Sequence, residues 1–203
     1  MHLNTLLSSI VKDHTLHSKW LNTLSFMENA GARKISAAEH KEEVTLLILK
    51  HAAEEHRHAY YLKKQLAKLD DTLCRTYQSS ELLAPNHTRF YLNTLDIQVC
   101  RYLKNHFNLS GADLKFAAYL FVTYAIEVRA DELYPIYQEV LTENESKVTV
   151  KSIILEEEGH LEEMLNQLKE FSPDWEKHAQ KIINIEQAMF EDWMRGLKEE
   201  VAQ

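Results

Sequence analysis

The sequence predicts an all-α fold: a four-helix bundle with a crossover helix and an extra C-terminal helix, in one domain over residues 1–203. Three observations predict it. Only four Gly and three Pro occur in 203 residues, so helix breakers are scarce and the helices should be long. Apolar residues recur at alternating steps of three and four through most of the chain. Two of these stretches carry the same pattern, Glu-Glu-x-x-His, once from Glu54 to His58 and once from Glu156 to His160.

Taken in order, the first helix is expected from residue 3 into the region 28–36. His14, His17, Leu21, Leu24, Glu28, Gly31 and Ile35 share one of its faces. Ser36 with Glu39 has the form of a capping box, which would start the second helix there. The inner face of that helix reads Val44, Ile48, His51, Glu55, His58 and Leu62, and its end is expected near residues 69–71. A connection follows to about Thr88, with Ser79-Ser80 and Pro85-Asn86 as breakers. Residues 89–107 read as the crossover helix that parallel second and third bundle helices require. After the Asn108-Leu109 break, Ser110 and Asp113 mark the next helix start. Its inner face is Phe116, Leu120, Tyr124, Glu127, Asp131 and Tyr134. Pro135 is expected to kink or shorten it before about residues 142–145. Residues 147–171 form another helix, presenting Val150, Ile153, Ile154, Glu157, His160, Leu161, Met164 and Leu168. Beyond the Ser172-Pro173-Asp174 break, a last helix carries Trp175, Ile182, Ile183, Ile185, Met189, Phe190, Trp193 and Leu197, expected as core or interface.

Composition narrows the function classes. The formal charge of −8 and pI of about 5.8 argue against nucleic acid or an anionic membrane as the main partner. No apolar run approaches membrane-spanning length. The first eleven residues include Leu6, Leu7, Ile10 and Val11 but lack a cationic start, so no secretory signal is expected. Cys74 and Cys100 stand singly without a CxxC pair, which fits a cytoplasmic, reducing setting and gives no zinc or rubredoxin-type site.

Eleven His residues call for explanation. Helical residues three apart share a face, so Glu55 projects with His58, and Glu157 with His160. Glu28 and Glu127 lie mid-face on the helices preceding each motif. Four carboxylates and two imidazoles suit two divalent first-row ions, iron or manganese above all. In an antiparallel hairpin, facing residues lie equally far from the turn. For Glu127 and Glu157 the midpoint is residue 142, inside the expected turn. For Glu28 and Glu55 it is residue 41 or 42. Either the first helix runs on past Ile35 with its turn near His40, and Glu28 faces Glu55, or Ser36 caps the second helix and His14 or His17 faces Glu55 instead.

The competing reading is a set of solvated acidic helix faces. One Glu-x-x-His means little in so acidic a chain. Two, each with the extra Glu and with apolar neighbours three and four away, weigh against it. His51, one turn before Glu55, reads as a core histidine or a support behind the ligands. Asp131 is a candidate for orienting a ligand imidazole. Tyr124, one turn before Glu127, is either a redox-active tyrosine beside the metals or a core phenol. Glu54, Glu156, Glu158, Glu162 and Glu163 fall off the inner face and are expected to be solvated.

This constellation resembles the ferritin-like di-iron carboxylate superfamily, which places one Glu on each of two helices and Glu-x-x-His on each of the other two, in this chain order. The spacings from Glu28 to Glu55 and from Glu127 to Glu157 resemble those of the aldehyde-deformylating oxygenases. The resemblance covers roughly residues 14 to 168. It implies a ferritin-like bundle holding two Fe ions, or Mn or a mixed pair. It also implies an O2-dependent oxidase or oxygenase acting on a small apolar substrate. The shape of the pocket is expected to depend on packing among Phe26, Tyr60, Phe116, Tyr119, Phe121 and Tyr124. A homodimer is compatible with it. Iron storage in a multi-subunit shell, or a metal-binding bundle without catalysis, are the alternatives.

Overall fold

The computed structural model describes residues 2–202, apart from the side chain of Glu158. Among the described residues there are seven α-helices, one 3-10 turn and no strand. The helices are α1 (Leu3–Lys12), α2 (His14–Ala38), α3 (Leu46–Leu66), α4 (Pro85–Phe107), α5 (Gly111–Glu143), α6 (Lys151–Phe171) and α7 (Trp175–Val201). The all-α expectation holds. Helices α2 and α3 form one antiparallel hairpin, α5 and α6 another, and α4 and α7 pack on α5 and on each other.

Several boundaries differ from the sequence reading, each for a local reason. The first helix is broken at Asp13, whose backbone is extended and whose carboxylate accepts from the Leu16 N–H at 2.8 Å, capping α2. Ser36 caps nothing. Its hydroxyl donates back to the Ala32 carbonyl, and α2 runs on to Ala38. Residues 39–45 make the turn, so Val44 is exposed rather than on an inner face. The turn is centred on residue 42, which sets Glu28 opposite Glu55. Pro85 is the first residue of α4, where its missing N–H costs nothing. Pro135 faces solvent and α5 continues through it to Glu143. Phe116 and Asp131 also lie exposed on α5.

Two apolar clusters fill the interior. One joins Leu6, Leu7 and Ile10 of α1 to Trp20, Tyr137 and Trp193, with the indoles of Trp20 and Trp193 stacked at 5.6 Å. The other joins Ile48, Leu95, Val99, Leu120, Phe121 and Met164. The candidate site lies between α2, α3, α5 and α6.

Helix α5 ends in a Schellman turn. The Ser146 N–H donates to the Leu141 carbonyl at 2.9 Å and the Glu145 N–H to Thr142 at 3.1 Å. Glu145 therefore sits at φ +52°, in the left-handed region where a Cβ is disfavoured. Glu145→Gly is expected to stabilise the protein by about 0.5–1 kcal/mol, the relief of strain outweighing the added freedom of the unfolded chain. A rise of about 2 °C in the thermal midpoint would register it, and a fall would contradict it.

Candidate metal centre

The structure brings Glu28 of α2, Glu55 and His58 of α3, Glu127 of α5, and Glu157 and His160 of α6 to one level of the bundle. They form two overlapping groups. In one, ligand atoms from Glu28, Glu55, His58 and Glu157 all lie within 4.8 Å of one another. In the other, atoms from Glu55, Glu127, Glu157 and His160 do the same. Glu55 and Glu157 belong to both. Each group thus has three carboxylates and one imidazole, two of the carboxylates common to both.

The imidazoles are aimed by residues the sequence reading assigned to solvent. His58 Nε2 lies 2.7 Å from Glu156, and His160 Nε2 lies 2.8 Å from Glu54. The first Glu of each motif therefore holds the histidine of the other. A carboxylate only accepts, so each Nε2 carries the proton and each Nδ1 turns towards the cluster. Arg57 reaches Glu156 at 2.5 Å and Glu54 at 3.8 Å, tying the two outer carboxylates together. The repeated leading Glu was the available signal. Helical phase alone puts it beside the inner face, and only the neighbouring helix gives it a partner. Asp131, the earlier candidate for this task, is exposed.

Both Nδ1 atoms are buried and make no hydrogen bond. His58 Nδ1 lies 3.1 Å from Glu157 and 3.7 Å from Glu55. His160 Nδ1 lies 3.3, 3.6 and 3.7 Å from Glu157, Glu127 and Glu55. Each nitrogen points between oxygens rather than at one. That is the donor chemistry of a cation site: nitrogen and carboxylate groups converging, their remaining valences unsatisfied. The residues present fit a pair of divalent first-row ions.

Without an ion, protons must balance the cluster's charge. Burial, then repulsion from Glu55, pushes the Glu28 carboxyl well up, and burial, then Glu157, does the same to Glu127. Burial would lower His58, but the oxygens of Glu157 and Glu55 carry it up to about 12. Burial likewise opposes a rise at His160, and Glu157 and Glu54 outweigh it, to about 9. Burial would raise Glu157, yet Glu127 and the two histidines hold it well below the usual carboxylate range.

The other residues singled out fall elsewhere. His14 Nε2 contacts the Leu69 carbonyl and His17 Nε2 the Tyr137 hydroxyl, so neither faces Glu55. His51 packs behind His160, ring centres 5.0 Å apart. It takes a hydrogen bond from the Tyr119 hydroxyl at 2.8 Å and gives one to Glu163 at 2.8 Å. Glu163 is thus engaged, while Glu162 is exposed and Glu158 lies outside the described side chains. Tyr124 meets the edge of Trp175 on the α7 side, away from the cluster. The tyrosine that reaches the cluster is Tyr134, buried, donating to Glu28.

A cavity of about 380 Å³ adjoins the cluster between α2, α4 and α5, with Glu28, Glu55 and Glu127 in its wall. Of the six aromatics expected to shape it, only Tyr119 lines it. Tyr60 and Phe116 are exposed. Its walls are mainly aliphatic, with Tyr91, Tyr134 and Trp193. No family model, curated protein or solved structure matches the chain. Among the described residues, no helix is long and apolar enough to cross a membrane.

The raised histidines and carboxyls set a pH dependence for the ion-free protein. A histidine raised from 6.5 to about 9 stabilises fully below 6.5 and loses that contribution as pH rises through 9. Glu28 and Glu127, raised, act in the same direction. Urea midpoints of chelator-treated protein are expected to fall steadily from pH 6.5 to 9.5. In His160→Gln the fall over this window should be shallower. A flat or rising profile in the parent protein would contradict the arrangement.

Proposed function

We propose that the cluster holds two divalent first-row ions, iron foremost and manganese or a mixed pair next, and that the protein is a dinuclear O2-dependent oxidase or oxygenase acting on an apolar substrate. The fold read with it is the ferritin-like bundle with α4 as crossover and α7 as the extra helix. The observation that carries the proposal is the pair of buried, unpartnered Nδ1 atoms directed into four carboxylates.

When bound, two reduced ions supply the electrons for dioxygen reduction. The chain's residues do the rest. Glu28, Glu55, His58, Glu127, Glu157 and His160 hold the pair. Glu54 and Glu156 fix the imidazole orientation and keep each Nε2 protonated. Tyr134 holds one Glu28 oxygen by donating to it, which limits how far that carboxylate can swing. The aliphatic wall keeps bulk water from the side on which substrate would lie. That cavity favours an oxidase or oxygenase over storage, which needs a route for ions rather than an apolar chamber.

Anaerobic loading with Fe(II) should give two ions per chain, and exposure to air should bring up the absorption of an oxo-bridged ferric pair. Absence of stoichiometric iron uptake would remove the proposal. Gel filtration separates the storage alternative, since a cage requires many subunits and a monomer or dimer excludes one. Glu54→Gln and Glu156→Gln should each weaken metal affinity by about 10–100-fold while leaving helical content unchanged. Glu162→Gln, on the solvent face of the same helix as Glu156, should not.

A further inference from the structure

The cavity beside the cluster has a shape and a polarity of its own. On α2 its lining runs from Leu24 to Ala38, fourteen steps along the helix, or about 21 Å at 1.5 Å per residue. A volume of about 380 Å³ drawn out over that length makes the cavity elongated, the shape of an extended chain. One end is blind: Leu24, Tyr91, Leu133 and Trp193 close it, all buried. The other end is the mouth, where Ala37 and Lys115 are exposed and Lys34 is half-buried.

Charge is segregated along this axis. The mouth carries two ammonium groups, Lys34 and Lys115, against one carboxylate, Asp96. Lys34 pairs with Asp96 and donates to the Leu92 carbonyl at 2.5 Å, so it is held at the rim between α2 and α4. Lys115, on α5, has no ion-pair partner among the described residues, which leaves the mouth one positive charge in excess. Near the blind end the wall carries Glu28, Glu55 and Glu127. Arg129 also reaches the wall but is committed to Glu186, at 2.8 Å. Between mouth and carboxylates the wall is mainly apolar, with Tyr119, Thr123 and Cys100 among its aliphatic residues. Glu28 is six residues from Lys34 along α2, about 9 Å, and Glu127 is twelve from Lys115 along α5, about 18 Å.

We propose that this cavity binds an unbranched aliphatic carboxylate tail-first, its head at the Lys34–Lys115 mouth and the interior of its chain beside Glu28, Glu55 and Glu127. The inference rests on reading the cavity as the substrate site of the proposed function, and it adds the substrate's class and its orientation. The anionic head is drawn to the excess positive charge and turned away from the carboxylate wall. The aliphatic section takes the chain, and Trp193 stops its end. The centre is thereby presented with methylenes from the middle of the chain, not with the head group.

Calorimetric titration of dodecanoate, below its micellar concentration, into the purified protein tests this. One saturable site per chain is expected. Dodecanol, of equal length but neutral, should bind at least tenfold more weakly, and butyrate should not bind measurably. Lys115→Met and Lys34→Met should each weaken dodecanoate several-fold and leave dodecanol unchanged. Ala118→Trp, filling the passage, should abolish binding of both while circular dichroism stays helical. Should that variant unfold, the comparison of dodecanoate with dodecanol and the lysine variants decides alone. Equal affinity for dodecanol, or no saturable site in folded protein, overturns the proposal. The titration is run with and without bound iron. Chain binding without iron uptake would fault the dinuclear reading and leave this one. Iron uptake without chain binding would fault this one alone.

Discussion

The bundle is organised around one electrostatic constraint. Four carboxylates and two imidazoles converge in its interior, where an uncompensated charge is costly. The chain meets the constraint by interleaving the groups, so that each imidazole nitrogen has carboxylate oxygens 3–4 Å away on several sides. Neither Nδ1 makes a hydrogen bond to any of them. Cations would satisfy both nitrogens and offset the carboxylates at once, which is why donor chemistry, more than any single distance, points to metal.

The rest of the structure keeps these six groups at one height. Asp13 starts α2 and the turn at 39–45 ends it late enough for Glu28 to meet Glu55. Helix α5 carries both Glu127 and, two turns on, the Tyr134 hydroxyl that holds Glu28. Behind the imidazoles, Glu54 and Glu156 cross between α3 and α6, and Arg57 ties them. His51, Tyr119 and Glu163 form a second hydrogen-bonded row next to His160. One side of the centre is thus a dense polar lattice that fixes orientation. The other side opens on a mainly apolar chamber.

Much of this was legible in the sequence. Helical periodicity located α4 to α7 to within a few residues, because apolar faces must be buried whatever packs on them, while the first helix breaks at Asp13 and α3 begins at Leu46 rather than beside Ser36. Four of the six clustered residues followed from the three-residue spacing on those faces, and Glu28 and Glu127 from their mid-face positions on the preceding helices. Where the reading failed, the cause was a partner distant in sequence. Ser36 with Glu39 matched a capping box, but the hydroxyl had a nearer acceptor in the turn of helix it was already part of. Glu163 looked solvated until α3 brought His51 and Lys50 to it. Tyr124 and Tyr134 lie on the same stripe of α5, and only the placement of α7 and α2 decides that one meets Trp175 and the other Glu28.

The sequence by itself determined the helices, their order and which acidic and imidazole side chains share a face, since these depend on the 3.6-residue period and on burial of apolar surface. Tertiary structure alone decided the height at which Glu28 sits, the exchange of Glu54 and Glu156 between the two motifs, and the chamber with its lysine mouth. Those depend on where neighbouring helices place their side chains. A local period carries no information about that.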